Sequence, residues 1–300
     1  MASAASLVGR LRAPEPVTVD ELERLIHALL VAVLSGAAEC RAALHAGALP
    51  VLTATLHEHV SSQSLAALAT CVVSQIVRDN QEAVDGSARA ALVAALVPAL
   101  RRYGDDNDTA DGAQVFLQTI GAALATDAPR AAACAQRAAL QLGFAELAAS
   151  LLRDQPARSV LFKFTWADAV ADFSRSDATR RAAAAAGCVA LAARALGEHP
   201  GHELLFDAVL RLAYHVLIEI DKQLVATPQG DAAVRSLFPA FVAACAKHKR
   251  RADLQRRALS VLRCLPVYTP AQSEAAGAAG VPAAAVSAPE SWLSRPVHAC

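Results

Sequence analysis

The most ordered set of ionisable residues lies between positions 202 and 224, where Asp207, Arg211, His215 and Glu219 recur at four-residue steps. On a helix that spacing stacks the four on one face, while Leu205, Val209, Leu212, Val216 and Ile220 form a separate apolar set. A polar stripe of this kind either pairs within itself as a solvated face or docks a partner by charge and hydrogen bonding. His215 is the one member whose charge changes near neutrality. Lys163 and Trp166 sit one turn apart on the preceding predicted helix and would neighbour the stripe if successive long helices stack in order. A tryptophan beside a cation has the composition of an interface anchor, although tryptophan also fills cores.

Other candidates have less to work with. His57-Glu58-His59 places its two histidines on different sides of a helix, whereas a helical metal pair needs i, i+4 spacing, so no metal site is expected. Lys247-His248-Lys249-Arg250-Arg251, with Arg256 and Arg257 beyond, is the one basic cluster: a nuclear signal, a site for an acidic partner, or a charged turn between helices. Glu290-Ser291-Trp292-Leu293 has the aromatic-aliphatic character of a short docking motif. The chain carries no GxGxxG, P-loop or GxSxG pattern, which leaves phosphate-cradling and nucleophile-elbow chemistry without residues. The expectation is a protein that is not an enzyme and holds no cofactor.

The elements that would carry these residues are helical. Apolar residues make up 55% of the chain but aromatics only 4%, so most of the apolar content is Ala, Leu and Val, and strand-favouring aromatics are scarce. Five segments share one pattern: a small or apolar residue, an aliphatic or aromatic one, often proline, and a large apolar residue two further on. They begin at Ala48, Leu96, Gly143, Gly187 and Leu237, intervals of forty-four to fifty residues, which is what a stacked helical array leaves in sequence. The first unit reads as helices over 37–46, 49–59 and 62–78, with glycine for the sharp turn and proline in the second helix's first turn. Repeats then run over 37–80, 81–126, 127–174, 175–228 and 229–267. A capping helix precedes them: Thr18 can cap it while Glu21 reaches back, and Leu22, Ile26, Leu29 and Val33 mark its apolar face. The domain is thus expected over 17–267, between a disordered leader at 1–16 and a disordered Ala/Pro/Ser-rich tail at 268–300.

Seven cysteines stand singly, without a CxxC pair, which argues for reduced thiols packed as small hydrophobes in a reducing compartment, cytoplasmic or nuclear. Formal charge sums to zero, removing the broad attraction that nucleic acid requires. The longest apolar runs are too short to span a bilayer. A monomer whose partners are other proteins is expected.

Several stretches resemble armadillo repeats. Glu39-Cys40-Arg41-Ala42-Ala43-Leu44-His45-Ala46-Gly47-Ala48-Leu49-Pro50-Val51-Leu52 resembles that family's first-to-second helix junction, Arg78-Asp79-Asn80-Gln81-Glu82-Ala83-Val84 its repeat boundary, and Ala178-Thr179-Arg180-Arg181 through Leu196 another junction. The likeness covers about residues 18–267. It implies an all-α, armadillo-type α-solenoid, a right-handed superhelix of three-helix repeats with a concave groove lined by the long third helices. Import receptors of the family carry a Trp and, four residues on, an Asn on those helices. The corresponding positions here are Ala28 and Ala32, Cys71 and Gln75, and Thr119 and Ala123, so that peptide clamp is missing. The function implied is a protein-protein interaction scaffold or adaptor. Lys163, Trp166, Asp207, Arg211, His215 and Gln75 are its candidate partner-binding residues, and an armadillo-type nucleotide-exchange cofactor of Hsp70 is the alternative.

Overall fold

The computed structural model describes residues 2–13, 17–104, 110–155, 157–218 and 228–264, and no strand occurs among them. Along the chain run α1 (Ala4–Leu11), α2 (Val19–Leu34), α3 (Ala37–His45), α4 (Ala48–Glu58), α5 (Gln63–Asp79), α6 (Gly86–Tyr103), α7 (Ala110–Leu124), α8 (Pro129–Gln141), α9 (Phe144–Asp154), α10 (Val160–Phe173), α11 (Asp177–Ala185), α12 (Cys188–Glu198), α13 (Glu203–Ala213), a π-helical turn (Tyr214–Ile218), α14 (Pro228–Lys247) and α15 (Ala252–Cys264). They form two compact units, Met1–Arg158 and Ser159–Cys300. None of the described helices is long and apolar enough to cross a membrane. The expected tail at 268–300 lies outside the described residues.

A three-part pattern of a nine- or thirteen-residue helix, an eleven-residue helix and a longer segment recurs as α3-α4-α5, α8-α9-α10 and α11-α12-α13 with its π turn. Its punctuation is the same each time. Gly47, Gly143 and Gly187 have φ of +83°, +68° and +77°, a left-handed conformation that costs any side-chain-bearing residue about 1–2 kcal/mol. The three junctions also share two backbone bonds. The residue before the glycine donates its N–H to the carbonyl four back, and the glycine donates to the carbonyl three back. An arginine ties down two of these turns: Arg12 donates to the Ala46 carbonyl at 3.2 Å and Arg101 to the Leu142 carbonyl at 2.7 Å.

The repeat register differs from the sequence reading by one residue. Gly143 and Gly187 correspond to Gly47, not to Ala48, because those two segments lack the proline that fixes the phase elsewhere and their apolar pattern fits two registers. In the segments containing Pro98 and Pro239, Ala95 and Ser236 stand where glycine would, and each proline lies inside one unbroken helix, α6 or α14. Without a residue that tolerates positive φ, the first and second helices fuse.

Inside the first unit the helices form two series, α2 against α5 against α7, and α4 against α6 against α8. Inside the second unit α10 packs on α13 and α13 on α15, while α12 packs on α14. Long segments thus stack on long segments in each unit. Ile26, Leu29, Val33, Leu52, Leu65, Val73 and Leu92 fill the first core, and Phe162, Trp166, Val170, Phe206, Val209 and Phe241 the second. Leu22, placed on the buried face by periodicity, is only half-buried, and Leu25 takes its place. The cysteine reading holds for Cys40, Cys188 and Cys245, which are buried and reduced; Cys71 is partly exposed and Cys134 exposed.

The disordered leader is corrected. Ala4, Leu7 and Val8 form an i, i+3, i+4 triplet buried where α1 packs on α2 and α3. Burying the Leu and Val side chains contributes about 1.5–3 kcal/mol each, which offsets the nucleation cost of an eight-residue helix. Ser3 Oγ accepts the Ser6 amide at 3.3 Å and Glu39 accepts the Ala4 amide at 2.7 Å. Thr18 Oγ1 accepts the Glu21 amide at 3.3 Å, as its spacing predicts. The Glu21 carboxylate does not reach back; it lies 3.6 Å from Arg10 of α1.

Arg89 had no signal in the sequence. It is fully buried with no carboxylate against it, and it donates to the carbonyls of Val84, Gln81, Ala122, Ala123 and Ala125 and to Gln81 Oε1. A guanidinium at the C-terminal end of α7 meets orphan carbonyls and the negative end of the helix dipole.

Candidate functional site

The polar stripe lies on α13, and its partners define how the long helices sit. Arg211, the ninth residue of α13, is ion-paired with Asp168, the ninth of α10, and reaches Asp172 Oδ1 at 3.4 Å. Asp207, the fifth residue of α13, pairs with Arg257, the sixth of α15, at 2.5 Å. Glu203, the first residue of α13, pairs with Arg251 just before α15. These contacts at matching distances from the helix starts, with Lys163 near the start of α10 reaching Glu198 and His199 just ahead of α13, set the three helices parallel, with their N-terminal ends on one edge. The starts are built alike as well. Ser159 Oγ accepts the Phe162 amide at 3.2 Å and His202 Nδ1 accepts the Leu205 amide at 3.1 Å, leaving the second residue of each helix, Leu161 and Leu204, 49% and 54% exposed.

Asp207 and Arg211 thus pair with neighbouring helices. Asp172, 5% exposed at its side chain, lies 2.7 Å from Arg175. Its burial pushes its carboxyl above the usual range and Arg175 pulls it back down. Burial, then Arg257, lowers Arg211. Arg180 pairs with Asp177 at 2.6 Å and donates to the Arg175 carbonyl at 3.0 Å. His215 falls in the π-helical turn, where burial first, then Arg175, Arg180 and Arg211, depress its pKa to about 4; it is neutral at pH 7. The regular helix expected over 202–224 gives way to that turn at Tyr214. Glu219 and Ile220 lie outside the described residues.

Two anchor residues are corrected. Trp166 is 0% exposed; its ring serves the core of the second unit, because the short Ala167, Ala169 and Ala171 of α10, all buried, leave volume that a large ring fills. Lys163 is 3% exposed and does not adjoin the stripe. Its Nζ lies 2.5 Å from Glu198 Oε2 and 3.3 Å from His199 Nε2, at the C-terminal end of α12. Burial, then Lys163, lowers the His199 pKa. Gln75 belongs to the first unit, where its side-chain amide donates to Asp79 at 3.0 Å. The structure thus brings Asp207 and Arg211 together with Asp168, Asp172 and Arg257, three residues that spacing along one helix could not nominate.

The basic cluster forms the turn between α14 and α15. Arg251 is spent on Glu203 and Asp253, holding the Asp253 carboxyl down at about 2. His248 stacks on Phe206 with ring centres 5.6 Å apart. His57 is exposed at the end of α4, and no group of three His, Cys, Asp or Glu able to hold a metal occurs among the described residues.

Chemically, the α10-α13-α15 surface offers acceptors and donors that are ion-paired yet still wet: the Asp168, Asp207, Arg211 and Arg257 side chains are 38%, 33%, 32% and 58% exposed. Such groups can exchange internal partners for those of another chain.

No family model matches the chain, and no curated protein does. Solved structures do. An engineered protein from the Northeast Structural Genomics Consortium superposes with a TM-score of 0.64 at 15% identity, over 93% of this chain and 98% of its own. A second engineered protein from the same consortium gives 0.59 at 15% identity, over 89% and 99%. The likeness is one of fold: this chain is an all-helical protein of repeat-like architecture.

Proposed function

We propose that the chain is an armadillo-type α-solenoid acting as a non-catalytic adaptor, which holds partner proteins against the exposed polar face of its long helices. The observation that carries this reading is the parallel, in-register array of α10, α13 and α15, whose Asp168, Asp207, Arg211 and Arg257 remain partly exposed while paired. The repeated glycine turns and the recurring three-helix pattern around an eleven-residue middle helix support the armadillo assignment, as the junction sequences do. A surface of alternating acid and base discriminates partners by charge pattern and contributes to encounter rate more than to raw affinity. Single cysteines kept as thiols support a cytoplasmic setting.

The test replaces the proposal's own residues. Asp207→Ala and Arg211→Ala, both away from the core, are compared with the parent chain by affinity capture and mass spectrometry, with circular dichroism confirming the fold. Partners that drop out with both variants support the long-helix face. An unchanged partner set removes that face from the reading.

A further inference from the structure

The N-terminal edge of the same three helices carries a second surface. The turn before α15 presents Lys247, Lys249 and Arg250, all exposed and none with an acidic partner among the described residues. The acids nearby are already taken: Glu203 and Asp253 by Arg251, and Glu198 by Lys163 and Arg194. In a chain of zero formal charge, this edge is left with uncompensated positive charge. Exposed apolar surface adjoins it. Leu204 directly follows Glu203, the residue bound to Arg251, and Leu161 holds the same position on the neighbouring parallel helix α10. Outside α10 and α13, the exposed large hydrophobics among the described residues are Val19, Val31 and Leu34, all on α2 or at its end.

We infer that this edge is a docking site for an acidic protein segment carrying aliphatic side chains, its carboxylates facing Lys247, Lys249 and Arg250 and its apolar residues covering Leu161 and Leu204. The inference rests on the protein-binding reading above and names the chemistry of one partner. Charge complementarity selects the acid. The leucines select a peptide over a nucleic acid, since among the described residues no exposed Phe, Tyr or Trp ring stands beside the turn to stack a base. They also select it over a lipid surface, because two leucines fall short of the continuous apolar face that an interfacial helix inserts.

The test is fluorescence anisotropy on the full chain, with a short labelled peptide alternating glutamate pairs and single leucines as the probe. Binding is expected, weakening as salt rises. Lys249→Glu with Arg250→Glu should weaken it about tenfold or more, roughly the loss of one strong polar contact set, and Leu161→Ser with Leu204→Ser should weaken it comparably. Arg41→Glu, an exposed reversal on α3, should leave it unchanged. Circular dichroism checks that each variant keeps its fold. Absence of binding, or equal loss with Arg41→Glu, overturns the proposal. So does binding of RNA or phosphatidylserine vesicles that follows the charge reversals while the serine variants behave as wild type, which marks a general polyanion surface. Tighter peptide binding after Glu290→Lys with Trp292→Ala would give the site to the chain's own tail. Self-association abolished by the charge reversals would give it to a second copy. Either result removes the external partner. Because the probe is synthetic, its failure leaves the Asp207 and Arg211 capture result standing on its own.

Discussion

Adding one methyl group at two glycines ten residues apart should shift stability in opposite directions. Gly187 has φ +77° at the entry to α12, and a Cβ built there meets nothing within 4 Å. Steric clash therefore contributes nothing, and the whole cost of Gly187→Ala is conformational, about 1–2 kcal/mol for a left-handed alanine. Gly197 lies within α12 and its Cβ also meets nothing within 4 Å, but its backbone is helical. Gly197→Ala should stabilise by about 0.5–1 kcal/mol, since the unfolded chain loses freedom and the helix gains a better former. The two variants should differ by about 1.5–3 kcal/mol. Urea unfolding followed by Trp166 fluorescence in a Trp292→Phe background reads the second unit directly, because Trp166 is buried there. The midpoint should fall for Gly187→Ala and rise for Gly197→Ala. A Gly187→Ala variant as stable as its parent, with increased helicity, would show that α11 and α12 had fused as α6 does, and would refute the argument that the left-handed turn sets the repeat.

Three further outcomes follow from single sites. Trp166→Ala should destabilise the second unit by about 3–5 kcal/mol, as removal of a fully buried ring does, seen as early loss of helicity in urea; Trp166→Phe should cost less. Arg89→Met should cost the first unit about 3 kcal/mol or more, because the carbonyls at the end of α7 are left buried without donors, and Arg89→Lys should recover only part of that in thermal unfolding, one ammonium replacing a fork of donors. Acidification should destabilise the second unit through His215. Its folded pKa of about 4 lies below the ordinary 6.5, so the unfolded chain binds the extra proton between those values. Stability is full above the ordinary value and declines as pH falls through that window, by about 1 kcal/mol at pH 5 once solvent screening of the partly exposed ring is discounted. His215→Gln should flatten that slope in urea titrations run at several pH values.

Much of the helical frame was legible because it rests on local physics. Thr18 capping α2, glycine at the first-to-second helix turn and the apolar set Leu205, Val209, Leu212 and Val216 each depend on a few neighbouring residues, and each is where its spacing placed it. What failed depends on residues distant in sequence. The α1 triplet is too short to announce a helix and needs α2 and α3 to bury it. Lys163 finds Glu198 thirty-five residues away, and nothing in the spacing of Lys163 and Trp166 tells which of them points inward. Arg89 reaches carbonyls more than thirty residues on, and carbonyls are the same at every position of every sequence, so no residue type marks the site. Of the candidate set, Asp207 and Arg211 were identified while their partners Asp168, Asp172 and Arg257 were not, because the stripe was read along one helix and its bonds run between helices.

That last difference bears on why the charges are there. The interfaces in the second unit are rich in alanine: Ala167, Ala169, Ala171, Ala192, Ala193, Ala195, Ala208 and Ala213 are all buried. Alanine faces let helices approach closely but interlock weakly, since a methyl group presents little ridge to set in a groove. Two such helices can slide along one another by a turn, 5.4 Å, at a smaller loss of apolar contact than a leucine-rich pair would suffer. Ion pairs at matching depth oppose that slide, because a one-turn shift between α13 and α15 would break at least one of the Glu203–Arg251 and Asp207–Arg257 pairs, while Arg211 ties α13 to α10 between Asp168 and Asp172. Partly exposed pairs contribute little to stability one at a time, yet they are sensitive to position in a way alanine is not. The polar stripe is then a register lock between long helices first. Its exposed remainder becomes usable by a partner because the lock holds α10, α13 and α15 parallel and level, which is also what brings Leu161, Leu204 and the Lys247, Lys249 and Arg250 turn onto one edge.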